Sequence, residues 1–151
     1  DEPLNSNLGK LWPQIKEDFR HIYNIEVPRY VLTSESTLGE IHGFADASQR
    51  AFGCCIYYRV CINGSYRTAL LNAKSKVAPI KAQSLPRLEL CAAVLLNKTW
   101  SKIKSKIFKF VSLIFFWTDS KIVLQWLKLH SSTLNCFVGN RISEFQEETR
   151  E

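Results

Sequence analysis

The chain has 151 residues, 46% apolar and 12% aromatic, enough to fill the core of one domain with an appended segment. Its charged residues, 23% of the total, are interspersed rather than blocked, which excludes a disordered chain. The excess of 20 Lys and Arg over 14 Asp and Glu gives a net charge of +6, which suits a polyanionic partner and equally suits an ordinary basic domain.

The spacing of Leu11, Ile15, Phe19, Ile22 and Tyr23 predicts a helix over 8–24, with Pro13 near its first turn. Pro28 makes the next residues extended, and the polar run TSESTLGE over 33–40 reads as a linker. A boundary is therefore expected there, with 1–33 the tail of a preceding module and 34–151 a separate domain. Residues 40–46 and 51–60 predict two strands, the second rich in aromatic and β-branched side chains. Asn63-Gly64 is a hairpin turn leading to a third strand over 66–73. A basic loop, KSKVAPIKAQ, follows over 74–83.

Pro86 opens a helix whose apolar face carries Leu88, Cys91, Ala92, Leu95, Thr99 and Ile103, widened by Leu96 and Trp100. The nearly unbroken apolar run 111–118 predicts a strand covered on both faces. Helices are expected over 120–130 and 137–148. Three hairpin-linked strands, a helical crossover and a fourth strand predict an α/β fold. Its mixed sheet would hold three antiparallel strands and one parallel strand.

Three carboxylates fall at strand ends or helix starts. Asp46, in HGFADAS, ends the first strand; Glu89, in PRLEL, starts the long helix; Asp119, in FFWTDS, ends the fourth strand. Each has a plain structural reading. Asp46 could cap a turn, Asp119 could be the N-cap of the next helix, and Glu89 could complement a helix dipole. Together they lie on one plausible edge, because ligands of such sheets bind at the carboxyl ends of parallel strands. Carboxylates brought together repel unless a cation compensates, and magnesium suits hard oxygen ligands. Two such ions about 4 Å apart support phosphodiester hydrolysis.

The five cysteines, 54, 55, 61, 91 and 136, are odd in number and contain no C-x-x-C, which reads as reduced, buried thiols of an intracellular protein and argues against a zinc site. The longest apolar run, 107–117, carries Lys109 and falls far short of the roughly 20 residues of a membrane helix. Asn63-Gly-Ser and Asn97-Lys-Thr match a glycosylation pattern by chance. The chain opens without Met and contains none, so it reads as a piece of a longer polypeptide.

The strings FADAS-x5-CCIYYR, AKSKVAPIK, PRLELCAAVLL, WTDSKIVLQWL and FVGNRISEFQ closely resemble the Pol polyprotein of Bel/Pao-type retrotransposons, in the ribonuclease H-like region that follows the reverse transcriptase. The resemblance covers roughly residues 28–148. It implies a ribonuclease H-like domain that cuts the RNA strand of RNA–DNA hybrids during reverse transcription, using Mg2+ or Mn2+. Asp46 would match the carboxylate that bridges two ions, with Glu89 and Asp119 holding one of them. The family's fourth carboxylate follows a further strand, so this piece is expected to lack the last strand and helix. One ion site would then be incomplete and the activity impaired.

Lys74, Lys76, Lys81 and Arg87, with Arg141 a weaker candidate, would meet backbone phosphates. The implied partners are an RNA–DNA hybrid and the adjacent reverse transcriptase, with no membrane. The implied location is the cytoplasm, in a reverse-transcription particle, or the nucleus. A second reading is a non-catalytic ribonuclease H-like scaffold or nucleic-acid-binding module. A third follows the label Pao retrotransposon peptidase, but an aspartic peptidase of the retroviral type needs Asp-Thr-Gly or Asp-Ser-Gly. Here the aspartates are followed by Ala-Ser and Ser-Lys.

Overall fold

The computed structural model describes residues 6–26, 31 and 38–149. The chain divides into two compact units, Asp1–Tyr30 and Val31–Glu151. In the first, helix α1 (Ser6–Arg20) runs into a 3-10 turn, His21–Asn24. Pro13 lies inside α1 rather than near its first turn, because the helix starts at Ser6. The extended segment and the boundary expected at 33–34 fall largely outside the described residues.

The second unit is built on four strands, β1 (Gly39–Ala47), β2 (Ala51–Ile62), β3 (Ser65–Val77) and β4 (Val111–Trp117), in the order β3-β2-β1-β4. The first three pair antiparallel and β4 pairs parallel with β1, the predicted mixed sheet. Asn63 and Gly64 both take positive φ, 50° and 78°, as the tight β2–β3 turn requires. β3 continues to Val77, so Lys74 and Lys76 belong to a strand and not to the expected loop. Alternation through Ala73, Ser75 and Val77 keeps its ladder with β2 as far as Ala51, and charged side chains are well tolerated on an edge strand.

Helix α2 (Leu85–Ile107) lies between the sheet and two further helices, α3 (Lys121–Lys128) and α4 (Cys136–Thr149). One side, with Ala92, Leu95, Leu96 and Trp100, packs on Ile41, Ala45, Ile56, Tyr58 and Val60 of β1 and β2. The other side, with Leu90, Ala93 and Val94, packs on Val123, Val138 and Ile142. A helix buried on two sides is apolar nearly all round, which explains why its apolar face read so wide. Gly43 lets α2 approach β1 closely: a Cβ there would lie 2.7 Å from Leu96 Cδ1 and 2.8 Å from Phe116 Cδ1.

The strands alternate cleanly. In β1, Ile41, Gly43 and Ala45 are buried against α2, while Glu40, His42, Phe44 and Asp46 are directed to the opposite face of the sheet. There His42 stacks on Phe115 and Trp117 of β4, with centroids 5.2 and 6.2 Å apart. Trp117 Nε1–H donates to His42 Nδ1 at 3.2 Å, which puts the ring proton on Nε2, facing Glu40 Oε2 at 3.1 Å. β4 is not the doubly covered strand its sequence predicts: it lies at the edge of the sheet.

The cysteines are free, but Cys61 and Cys136 are exposed, so only some fit the expectation of buried thiols. Asn97 is 1% exposed and donates to the Phe145 carbonyl at 3.1 Å, a position closed to glycosylation. Among the described residues no helix is long and apolar enough to cross a membrane.

Candidate active site and nucleic-acid interface

The parallel ladder of β1 and β4 ends at the pair Phe44 and Trp117. Asp46 and Asp119 each lie two residues further on, so they leave the sheet side by side at its carboxyl end. Neither serves as a cap. The β1–β2 turn is closed by Ser48, whose Oγ accepts from the Arg50 and Ala51 N–H groups at 3.2 Å and whose N–H donates to the Ala51 carbonyl at 2.7 Å. The N-cap of α3 is Ser120, whose Oγ accepts from the Val123 N–H at 3.3 Å. Asp46 Oδ1 accepts only from the adjacent Ala47 N–H, at 2.7 Å. Both aspartates are exposed. Accordingly Ser120→Ala should cost about 1 kcal/mol of stability and Asp119→Asn close to none, as read by chemical denaturation.

Glu89 is half-buried in the second turn of α2, since the helix begins at Leu85. Dipole effects fade beyond the first turn, so the dipole reading loses its basis. Ala93, one turn after Glu89, lines a small cavity with Ala45 and Thr118, the residues immediately before Asp46 and Asp119. The three chain segments thus meet. Their side chains do not enclose a common point: among the described residues no three His, Cys, Asp or Glu side chains are arranged to hold a metal ion. The donor set itself fits a hard divalent cation, which takes carboxylate oxygens and keeps several waters. The ion pairs of the described residues use other acids, Glu17, Glu40 and Glu144.

The predicted cations divide between two places. Lys74 lines an open groove of about 480 Å3 with Asp46, Phe44, Gly53 and Cys55. Burial, with Cys54 alongside, pushes the Cys55 thiol up, so it stays protonated there. Lys76 lines a second groove, of about 290 Å3, with Lys98, Asn140, Arg141 and Glu144. Lys98 is paired with Glu144. Arg141 donates to the Phe137 carbonyl at 3.0 Å and stacks on the Phe137 ring at 3.6 Å, while Arg87 lies over the same ring at 4.9 Å. One aromatic ring thus orients two guanidiniums. Lys81 is exposed in the loop after β3 and lines neither groove. Lys98 and Asn140 escaped the sequence reading. The spacing of Phe137 and Arg141, one helical turn apart, was the available signal for the second groove.

Sheet order, strand directions and the position of α2 define a ribonuclease H-like fold. The chain belongs to the family described as Pao retrotransposon-like RNaseH-like domain, whose model matches residues 1–120, a span that includes Asp46, Glu89 and Asp119. Solved structures similar to it include RNase H1 from the halophilic archaeon Halobacterium salinarum NRC-1, at 10% identity and a TM-score of 0.42, covering 73% of this chain and 76% of that one. The NurA nuclease from Sulfolobus solfataricus is similar at 12% identity and a TM-score of 0.39, covering 94% of this chain. The match spans about half of NurA, 53% of its length. No curated protein sequence matches the chain.

Proposed function

We propose that this domain hydrolyses the RNA strand of RNA–DNA hybrids in a retrotransposon Pol polyprotein, with Asp46, Glu89 and Asp119 as ligands of Mg2+ or Mn2+. The observation that carries this reading is the placement of Asp46 and Asp119 side by side at the ends of adjacent parallel strands, with serines doing the capping next to each. Two exposed carboxylates freed of structural duty at a sheet's carboxyl end are suited to binding a cation. The bound ion would supply an activated water and stabilise the leaving oxygen.

The chain's own residues position the substrate. Lys74 supplies a cation in the groove beside Asp46. Lys76 and Arg141 supply a second basic contact two strands away, where a backbone phosphate would sit. Contacts of this kind hold a hybrid by its shape and charge rather than its sequence. Lys76→Ala combined with Arg141→Ala should flatten the dependence of hybrid affinity on salt by about 0.7–0.9 log units per lost contact. An unchanged slope in a fluorescence anisotropy titration removes this groove from the footprint.

The second reading is a non-catalytic scaffold that holds nucleic acid beside the polymerase. It is favoured by the lack of an enclosed metal-binding group among the described residues. The two readings part on one result: a scaffold binds hybrid in the presence of Mn2+ and leaves the RNA intact.

A further inference from the structure

We propose that β4 is an interface strand, through which two copies of this chain pair antiparallel and join their sheets. Its sequence, VSLIFFW, carries no charge and no proline, yet it lies at the edge of the sheet. Leu113, Ile114, Phe115 and Trp117 are 53%, 40%, 37% and 50% exposed. Edge strands of folded proteins are ordinarily blunted by charges, prolines or bulges, because their unpaired N–H and C=O groups accept any further strand. The opposite edge is of that protected kind: β3 carries Arg67, Lys74 and Lys76, and its ladder with β2 is interrupted between Ile56 and Tyr57. β4 therefore has the composition of an interior strand in the position of an edge.

The strand it suits is uncharged and apolar, and β4 of a second copy is such a strand. A two-fold axis at Ile114 pairs the whole of β4 with itself: 111 with 117, 112 with 116, and Leu113 with Phe115. Opposed residues then share a face, so the apolar rows of the two copies adjoin and form cross-strand pairs. The flanking charges select the direction. Lys109 precedes β4 and Asp119 follows it, so antiparallel pairing directs unlike charges toward each other, whereas parallel pairing sets like against like. β3 as the partner strand would instead bring a basic edge to an uncharged one and leave the contact open-ended. This inference does not depend on metal chemistry at Asp46.

Sedimentation across a concentration series tests it. The wild-type chain should form a dimer, and Leu113→Lys should shift it to monomer with an unchanged far-ultraviolet circular dichroism spectrum. An independent variant fixes the register: Ile114→Cys, with Cys61→Ser and Cys136→Ser, should cross-link to a dimer on oxidation, because residue 114 opposes itself only in this pairing. Ile122→Cys on α3 in the same background is the control. A wild-type chain that stays monomeric at every concentration overturns the proposal. So does an open-ended aggregate unaffected by Leu113→Lys, or cross-linking at 114 no greater than at 122.

Discussion

Asp46→Asn is expected to lower metal-dependent cleavage of an RNA–DNA hybrid by more than about 100-fold while leaving the fold intact. Removing a group that merely supports a metal ligand costs roughly 10–100-fold, and loss of the ligand itself costs more. The substitution is clean because Asp46 is exposed and its one hydrogen bond is accepted from the adjacent Ala47 N–H, which an Asn carbonyl can also accept. Stability should change by no more than about 0.5 kcal/mol. Single-turnover cleavage and a denaturant titration on the same preparation separate the two effects. Loss of activity together with loss of the unfolding transition would mean that Asp46 is structural.

Gly43→Val is expected to destabilise the domain by about 1–3 kcal/mol and to impair cleavage as well. The smallest side chain at this position already meets Leu96 and Phe116 inside 3 Å. Leu96 is buried in the core, so it has little room to turn away. The relief must come from a shift of α2 away from β1, and α2 carries Glu89. Leu96→Ala in the Gly43→Val background restores space beside β1. It should therefore lower activity by less than the sum of the two single effects, an interaction that a double-mutant cycle measures. Strict additivity in the cycle would show that the glycine does not set the approach of this helix.

The local signals of the sheet were legible in the chain. Period-two alternation in β1 and β2 and the Asn63-Gly64 turn follow from backbone rules that act over a few residues. The register at the end of β3 was not, because Lys74 and Lys76 read as loop until a partner strand extends beside them. β4 was misread for a related reason. An unbroken apolar run is what a covered strand looks like, and whether a neighbour exists is a property of the assembled sheet.

The carboxylates show the same division. Asp46 and Asp119 were identifiable by their place after apolar strands, but each has a Ser one or two residues away, and short-range rules allow either residue to cap. Only the hydrogen bonds of Ser48 and Ser120 decide it. Glu89 entered as a first-turn residue because Ser84-Leu85-Pro86 left the helix start open by a residue or two. The basic groove combines β3, α2 and α4, and no stretch of sequence displays that combination.

The central claim is that this domain is a metal-dependent nuclease and not a scaffold. The most direct measurement is cleavage of a hybrid carrying labels on both strands, incubated with the folded chain in Mn2+, in Mg2+ and in chelator. The account predicts internal cuts in the RNA strand alone, present with either metal and absent in chelator. Tight binding of the hybrid with both strands left intact in all three conditions would contradict it.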